Sequence, residues 1–214
     1  WLHVYLYFFI LITVLRTKAE WHRFLRFVVI CALYVSAYAW LQVLHAPIVF
    51  LQGERIFSTI GNPGFFAAYL LLSIGITSYC FMTDTRYRVL YGTAILIQSP
   101  LVFLTFTRSA IAGYGVAVSV IALFILCMQV RGRVRRDSEE KKNVNVLAAI
   151  LVTGFVLGAF LATQGSAALS AQRLTDIRIS DQTTQSRLLI WESALRGVYE
   201  RPTTGWGTGN FDAV

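Results

Sequence analysis

The chain is short of charge. Only 14% of its 214 residues are Asp, Glu, Lys or Arg, whereas 56% are hydrophobic and the mean hydropathy is +0.60. An average soluble domain carries roughly 25% charged residues, so a soluble globular class does not fit. Cysteine is equally scarce. Cys31, Cys80 and Cys127 stand singly within apolar runs, which leaves no CxxC pair and no outward-facing disulfide, and small-residue packing is their expected role. His3, His22 and His45 have no carboxylate or cysteine at ligand spacing, so no metal site is expected. The sequence also lacks a P-loop, a nucleophile elbow, a Rossmann fingerprint, internal repeats and low-complexity tracts.

What the chain has instead is a series of continuous apolar runs. Spans are expected at about Trp1 to Leu15, Phe24 to Leu44, Phe65 to Met82, Val89 to Phe106, Ala110 to Val130 and Val146 to Thr163. Each approaches or reaches the roughly 20 residues that carry a helix across about 30 Å of hydrocarbon. A transmembrane β-barrel would alternate in short segments. The expected fold class is therefore all-α, a polytopic transmembrane helix bundle of about six spans followed by an amphipathic-helix segment. Residues 1–164 form the membrane region and 165–214 a polar region. The chain opens on Trp1 inside an apolar run and stops at Val214 past a Gly-rich turn, so it is expected to be part of a longer protein; no basic n-region or small-residue cleavage site makes the first run a signal peptide.

Basic residues cluster in alternate loops. Arg16, Lys18, Arg23 and Arg26 lie between the first two spans, Arg86 and Arg88 between the third and fourth, and Arg131, Arg133, Arg135, Arg136, Lys141 and Lys142 between the fifth and sixth. The positive-inside rule makes those loops cytoplasmic. The net charge of +8 then reflects topology and membrane lipids, not nucleic acid. The intervening loops carry only Arg55 and Arg108, which places them, and the region after Gly165, on the outer side. In that last region Thr183, Thr184 and Ser186 offer N-caps for a helix from about Arg187 to Tyr199. Leu188, Trp191, Leu195 and Val198 make one apolar stripe, and Glu192 and Arg196 are an i, i+4 pair. Such a helix suits a membrane surface, with Trp191 at the interface. Pro202 follows it, and Gly205, Gly207 and Gly209 allow turns that bring backbone N–H groups close to a ligand.

Two arginines are candidate functional groups. Arg108 sits in the short outer connection Thr107-Arg108-Ser109 between apolar runs, where an unpartnered charge is costly; the plain alternative is snorkelling to lipid phosphates. Arg187 opens the amphipathic helix, where a cation opposes the helix dipole but could share an anion with free N–H groups; a solvated surface arginine is the alternative. Gly61-Asn62-Pro63-Gly64 reads as a turn that starts a helix with Pro in its first turn, with substrate lining as the other reading.

The segments TFTRSAIAGYG (105–115), GNPGFFAAYLL (61–71) and QSRLLIWESALRGVYERPTTGWGTGNF (185–211) resemble motifs of the O-antigen ligase and O-antigen polymerase superfamily. The resemblance implies a multi-pass enzyme of the bacterial inner membrane with a large periplasmic loop, of which residues 165–214 would be the start. It implies a metal-independent, cofactor-free glycosyltransferase that uses an undecaprenyl pyrophosphate-linked glycan as donor and a glycan, lipid A core or protein as acceptor. Arg108 and Arg187 take the catalytic places, with Trp191, Gly205, Gly207 and Asn210 alongside them in substrate binding. The family's functional histidine would lie beyond Val214, and the residues 1–214 alone would then be inactive. A transporter or flippase, for which Gln98 before Pro100 is a candidate helix break, and a non-catalytic scaffold are the competing readings.

Overall fold

A computed structural model describes residues 2–47, 49, 55–130, 138–164, 182–203 and 205–206. Among these, seven α-helices follow one another: α1 (Leu2–Val14), α2 (Lys18–Val43), α3 (Pro63–Thr83), α4 (Arg88–Leu104), α5 (Arg108–Val130), α6 (Ser138–Ala162) and α7 (Gln182–Glu200). Short 3₁₀ turns at Ser58–Ile60 and Thr85–Tyr87 precede α3 and α4. The chain is all-α among the described residues and divides into two units, Trp1–Ala171 and Gln172–Val214. Among the described residues four segments are long and apolar enough to cross a membrane: Lys18–Val43, Pro63–Thr83, Thr85–Leu104 and Lys141–Ala162. At 23 residues α5 also has the length of a span, whereas α1, with 13 residues, rises only about 20 Å.

Local sequence explains the helix ends. Thr17 caps α2 in a full capping box: its hydroxyl accepts from the Glu20 N–H, while the Glu20 carboxylate accepts from the N–H groups of Thr17 and Arg16. Asn62 caps α3 by accepting from Gly64 and Phe65 N–H, with Pro63 in the first turn and Gly61 at φ 80°, the turn expected of Gly-Asn-Pro-Gly. At the far end of α2, the N–H of Ala46 bonds the carbonyl of Leu41 and that of His45 bonds Gln42, a Schellman closure with His45 at φ 51°.

Within the first unit α4 is the hub, packing against α2, α3, α5 and α6. Its residues Tyr91, Ala94, Ile95, Gln98, Ser99, Pro100, Leu101 and Val102 are fully enclosed. Pro100 lies within α4, which runs on to Leu104, so the helix break considered at Gln98-Ser99-Pro100 is absent. On α6, Gly154 and Gly158 stand four apart and meet Ser99, Pro100 and Phe103 of α4, the small-residue spacing that lets membrane helices approach closely. Tyr114 of α5 joins this seam, its hydroxyl 2.7 Å from Ser99 Oγ and 3.1 Å from the Leu151 carbonyl. Cys80 is buried, Cys31 half-buried and Cys127 exposed, so packing inside the bundle accounts for the first two and not for Cys127.

The two ends of the bundle differ in charge. At one end Arg26 of α2 pairs with Asp84 after α3 at 2.9 Å, and Arg88 of α4 bonds Asn143 of α6, which gathers the basic loops together. The opposite end holds Arg55, the starts of α3 and α5, and a segment that turns inward. There Ser58, buried and at φ 53°, donates its hydroxyl to the Val35 carbonyl and its N–H to Gln42 Oε1. Val35 lies eight residues before the end of α2, about 12 Å along the axis, so irregular backbone enters the bundle where protein satisfies it.

Candidate functional site

The turn from α4 to α5 is three residues long, Thr105-Phe106-Thr107. It reverses direction this sharply because Phe106 takes φ 49°, a left-handed conformation that costs a bulky residue roughly 1–2 kcal/mol. Arg55 spans the turn. Its Nε donates to the Thr105 carbonyl at 2.8 Å and its terminal nitrogen to Thr107 Oγ1 at 3.0 Å, with the side chain part-buried. The guanidinium thus sits on the carbonyl end of α4, where the helix dipole favours a cation. The Thr107 hydroxyl lies 3.5 Å from the Pro63 carbonyl, which draws the start of α3 to the same corner.

Arg108 follows directly. The carbonyl of Thr107 accepts from Ala110 and Ile111 N–H, so helical bonding begins at Thr107 and Arg108 is the first residue of α5, not part of a loop as its flanking apolar runs suggested. Its side chain is exposed. A cation in a helix's first turn works against the dipole, so α5 stability does not explain it. Arg55 and Arg108 therefore both belong to the α4–α5 corner, Arg55 through its bonds to the turn and Arg108 as the residue that follows it. Among the described side chains of the first unit, the carboxylates of Glu20, Asp84 and Glu139 belong to the other end of the bundle. Arg55 shares the feature that singled out Arg108, a cation on the cation-poor side, but the 50 and 52 positions that separate it from Thr105 and Thr107 hide those contacts in the sequence.

In the second unit α7 starts at Gln182, five residues before Arg187. No Gly or Pro interrupts Gln182–Ser186, so the helix continues back through Thr183, Thr184 and Ser186, which are helical residues and not caps. Arg187 consequently stands in the second turn, away from the N–H groups of the first four residues, and the shared-anion geometry expected at a helix start does not hold for it. Arg187 and Trp191 are one turn apart on one side of α7. Leu188, Trp191, Leu195 and Val198 form the expected stripe and are all exposed, Trp191 at 65%. Arg196 bonds Glu192 at 2.8 Å, as the i, i+4 spacing implied.

After α7 the chain turns back on itself. The Gly205 N–H bonds the Arg201 carbonyl with Gly205 at φ 60°, and the Arg201 guanidinium lies 4.1 Å from the Trp206 ring. Glycine suits that left-handed position. Gly205 follows Glu200, and thirteen helical steps, about 20 Å, separate Glu200 from Arg187, so α7 keeps Gly205 at the other end from Arg187 and Trp191. Gly207 and Asn210 lie outside the described residues. Among the described residues no three His, Cys, Asp or Glu side chains gather as metal ligands.

Comparison with known proteins adds one match. A family model described as O-antigen ligase fits residues 93–214, more than half of the chain, from the second turn of α4 through Arg108, α7 and the Gly-rich run. No curated protein and no solved structure matches. A multi-pass helical architecture and a match of this extent agree: the chain belongs to the O-antigen ligase family.

Proposed function

We propose that this protein transfers a glycan from an undecaprenyl pyrophosphate carrier to an acceptor hydroxyl at the periplasmic face of the bacterial inner membrane, without a metal ion. The observation that carries the reading is the family match over residues 93–214, which takes in Arg108, Arg187, Trp191, Gly205, Gly207 and Asn210. In this reading residues 1–164 hold the enzyme in the membrane and 165–214 begin the periplasmic region, an assignment supported by the poverty of basic residues at the end of the bundle that carries Arg55 and Arg108.

The acceptor oxygen attacks the anomeric carbon, the bond from that carbon to the phosphate oxygen breaks, and undecaprenyl pyrophosphate leaves with the electron pair. Arg108 and Arg187 supply fixed positive charge to the leaving oxygen, the role a divalent cation fills in many phosphate-handling sites. Trp191, Gly205, Gly207 and Asn210 are assigned to donor binding. The acceptor proton passes to a general base, which the family resemblance assigns to a histidine after the Gly-rich run.

The test is transfer from undecaprenyl pyrophosphate-linked glycan by the intact gene product in nanodiscs, with EDTA present. Arg108→Ala and Arg187→Ala should each cut the rate by about 10²–10³-fold, the usual loss for removing one stabilising donor, with melting unchanged. Full transfer by the folded variants, or loss of transfer in EDTA, would remove the assignment. Movement of the lipid-linked glycan across the bilayer with no new glycosidic bond would identify a flippase instead.

A further inference from the structure

The basic end of the first unit carries a recess that the glycan-transfer reading does not use. It encloses about 400 Å³ and is lined by Lys18, Trp21, His22 and Leu25 of α2 and by Tyr79 and Thr83 of α3. The α2 residues fall at i, i+3, i+4 and i+7, one face of its first two turns, and the α3 residues at i and i+4 occupy its last turns. The cavity is therefore a groove between two antiparallel helix ends. Its size lies within the range of small-molecule sites, about 300–1,000 Å³.

We propose that this groove holds the phosphate headgroup and upper chain of an anionic phospholipid from the leaflet at the basic end. Three features select that ligand. Charge comes first: Lys18 is exposed at the rim, with Arg16 and Arg23 in the neighbouring turns, and the nearest α2 acid, Glu20, is occupied by the N–H groups of Arg16 and Thr17. A polar gap comes second. Nδ1 of His22 is buried and has no hydrogen-bond partner among the described residues, a state that costs stability unless a ligand or water supplies one. A turn of the imidazole toward the groove would let Nδ1–H donate to a phosphoryl oxygen, or bare Nδ1 accept from a glycerol hydroxyl. The third is a gradient of polarity. From Lys18 to Leu25 the α2 face runs about 10 Å toward the bilayer centre, passing Trp21 at headgroup depth, with Tyr79 across the groove. A free phosphate would use only the rim, whereas a lipid uses the whole length.

Native mass spectrometry of the intact gene product released from mixed micelles of phosphatidylglycerol and phosphatidylcholine tests this. The wild type should retain one phosphatidylglycerol in several-fold preference to phosphatidylcholine. Lys18→Ala and the pair Lys18→Ala with His22→Ala should remove most of that preference, and Lys18→Arg should keep it. Arg86→Ala, a basic residue at the same end but outside the recess, should leave it intact. Because Lys18 is exposed, its single variant keeps the experiment readable if the His22 change misfolds. Equal retention of the two lipids, an unchanged preference in Lys18→Ala, or displacement of the lipid by millimolar inorganic phosphate would each overturn the proposal, the last by identifying a free-anion site.

Discussion

Adding one methyl group to Gly158 should push α6 away from α4. A β-carbon at that position would lie 2.4 Å from Phe103 Cδ2, 3.0 Å from Phe103 Cγ and 3.0 Å from Pro100 Cα. Carbon atoms settle at about 3.5–4.0 Å, so roughly 1 Å of clearance is missing. Neither neighbour yields easily. Pro100 contributes backbone, and the Phe103 ring is wedged edge-on against Phe155 at 4.8 Å and Tyr114 at 6.3 Å between centroids. Overpacking of this kind costs about 1–3 kcal/mol, and replacing glycine in a helix recovers about 1 kcal/mol, so Gly158→Ala should destabilise by up to about 2 kcal/mol. Gly154→Ala should behave alike, since its β-carbon would meet Ser99 Cβ at 2.5 Å. Gly75→Ala is the matched control: nothing lies within 4 Å, and the change should be neutral or stabilising. Thermal unfolding followed by maleimide labelling of buried Cys80, in a Cys127→Ser background, reads the difference. At about 2–4 °C per kcal/mol, Gly158→Ala should melt up to about 8 °C below the wild type, and below Gly75→Ala. If it melted above the wild type, or no lower than Gly75→Ala, the close α4–α6 approach would be wrong.

Other consequences follow from named contacts. Arg55→Ala should lower both melting temperature and transfer, because it removes charge-assisted bonds worth about 1.5–3 kcal/mol from the α4–α5 turn; Arg55→Lys should restore only part, since one ammonium cannot reproduce the guanidinium fork. Burial raises the Asp84 carboxyl, but hydrogen bonds from Tyr91 and Arg26 outweigh it and hold it below its ordinary value of 3.8. The unfolded chain therefore takes up the proton first as pH falls: the Asp84 contribution is complete above about pH 4 and is lost as pH drops through the lower folded value. Melting measured from pH 6 to pH 3 should fall less steeply in Asp84→Asn than in the wild type. Tyr114→Phe should cost about 0.6–1.7 kcal/mol, and a double-mutant cycle with Ser99→Ala should show the two changes to be non-additive.

The bundle was legible because its signal is redundant. Each of the runs at Phe24 to Leu44, Phe65 to Met82, Val89 to Phe106 and Val146 to Thr163 carries enough apolar residues to show a helix, and the alternation of basic loops gives their antiparallel order. Helix ends were less legible. Thr183, Thr184 and Ser186 have the chemistry of caps, yet a capping residue and an ordinary helical residue differ only in backbone angle, and nothing at Gln182–Ser186 stops the helix. The Gly154 and Gly158 seam was written in the sequence as a four-residue spacing, but its partner, Ser99 to Phe103, could not be read from it. Which faces meet depends on packing that no single helix encodes.

The same limit hid Arg55, and the contact explains why two arginines on the same side should fail differently. Among the described residues, the non-glycine positions with positive φ are His45, Ser58 and Phe106, and all three lie at the end of the bundle that carries Arg55 and Arg108. Strain at each must be offset locally. His45 closes a Schellman turn, Ser58 bonds Val35 and Gln42, and the Phe106 turn is straddled by Arg55 through Thr105 and Thr107. Arg55 thus holds the turn that presents Arg108, while Arg108 sits exposed in the first turn of α5, where its charge opposes the helix dipole. Loss of Arg55 should appear in stability and transfer together, and loss of Arg108 in transfer alone. A shared dependence of both properties on Arg108 would mean that it, too, is part of the scaffold.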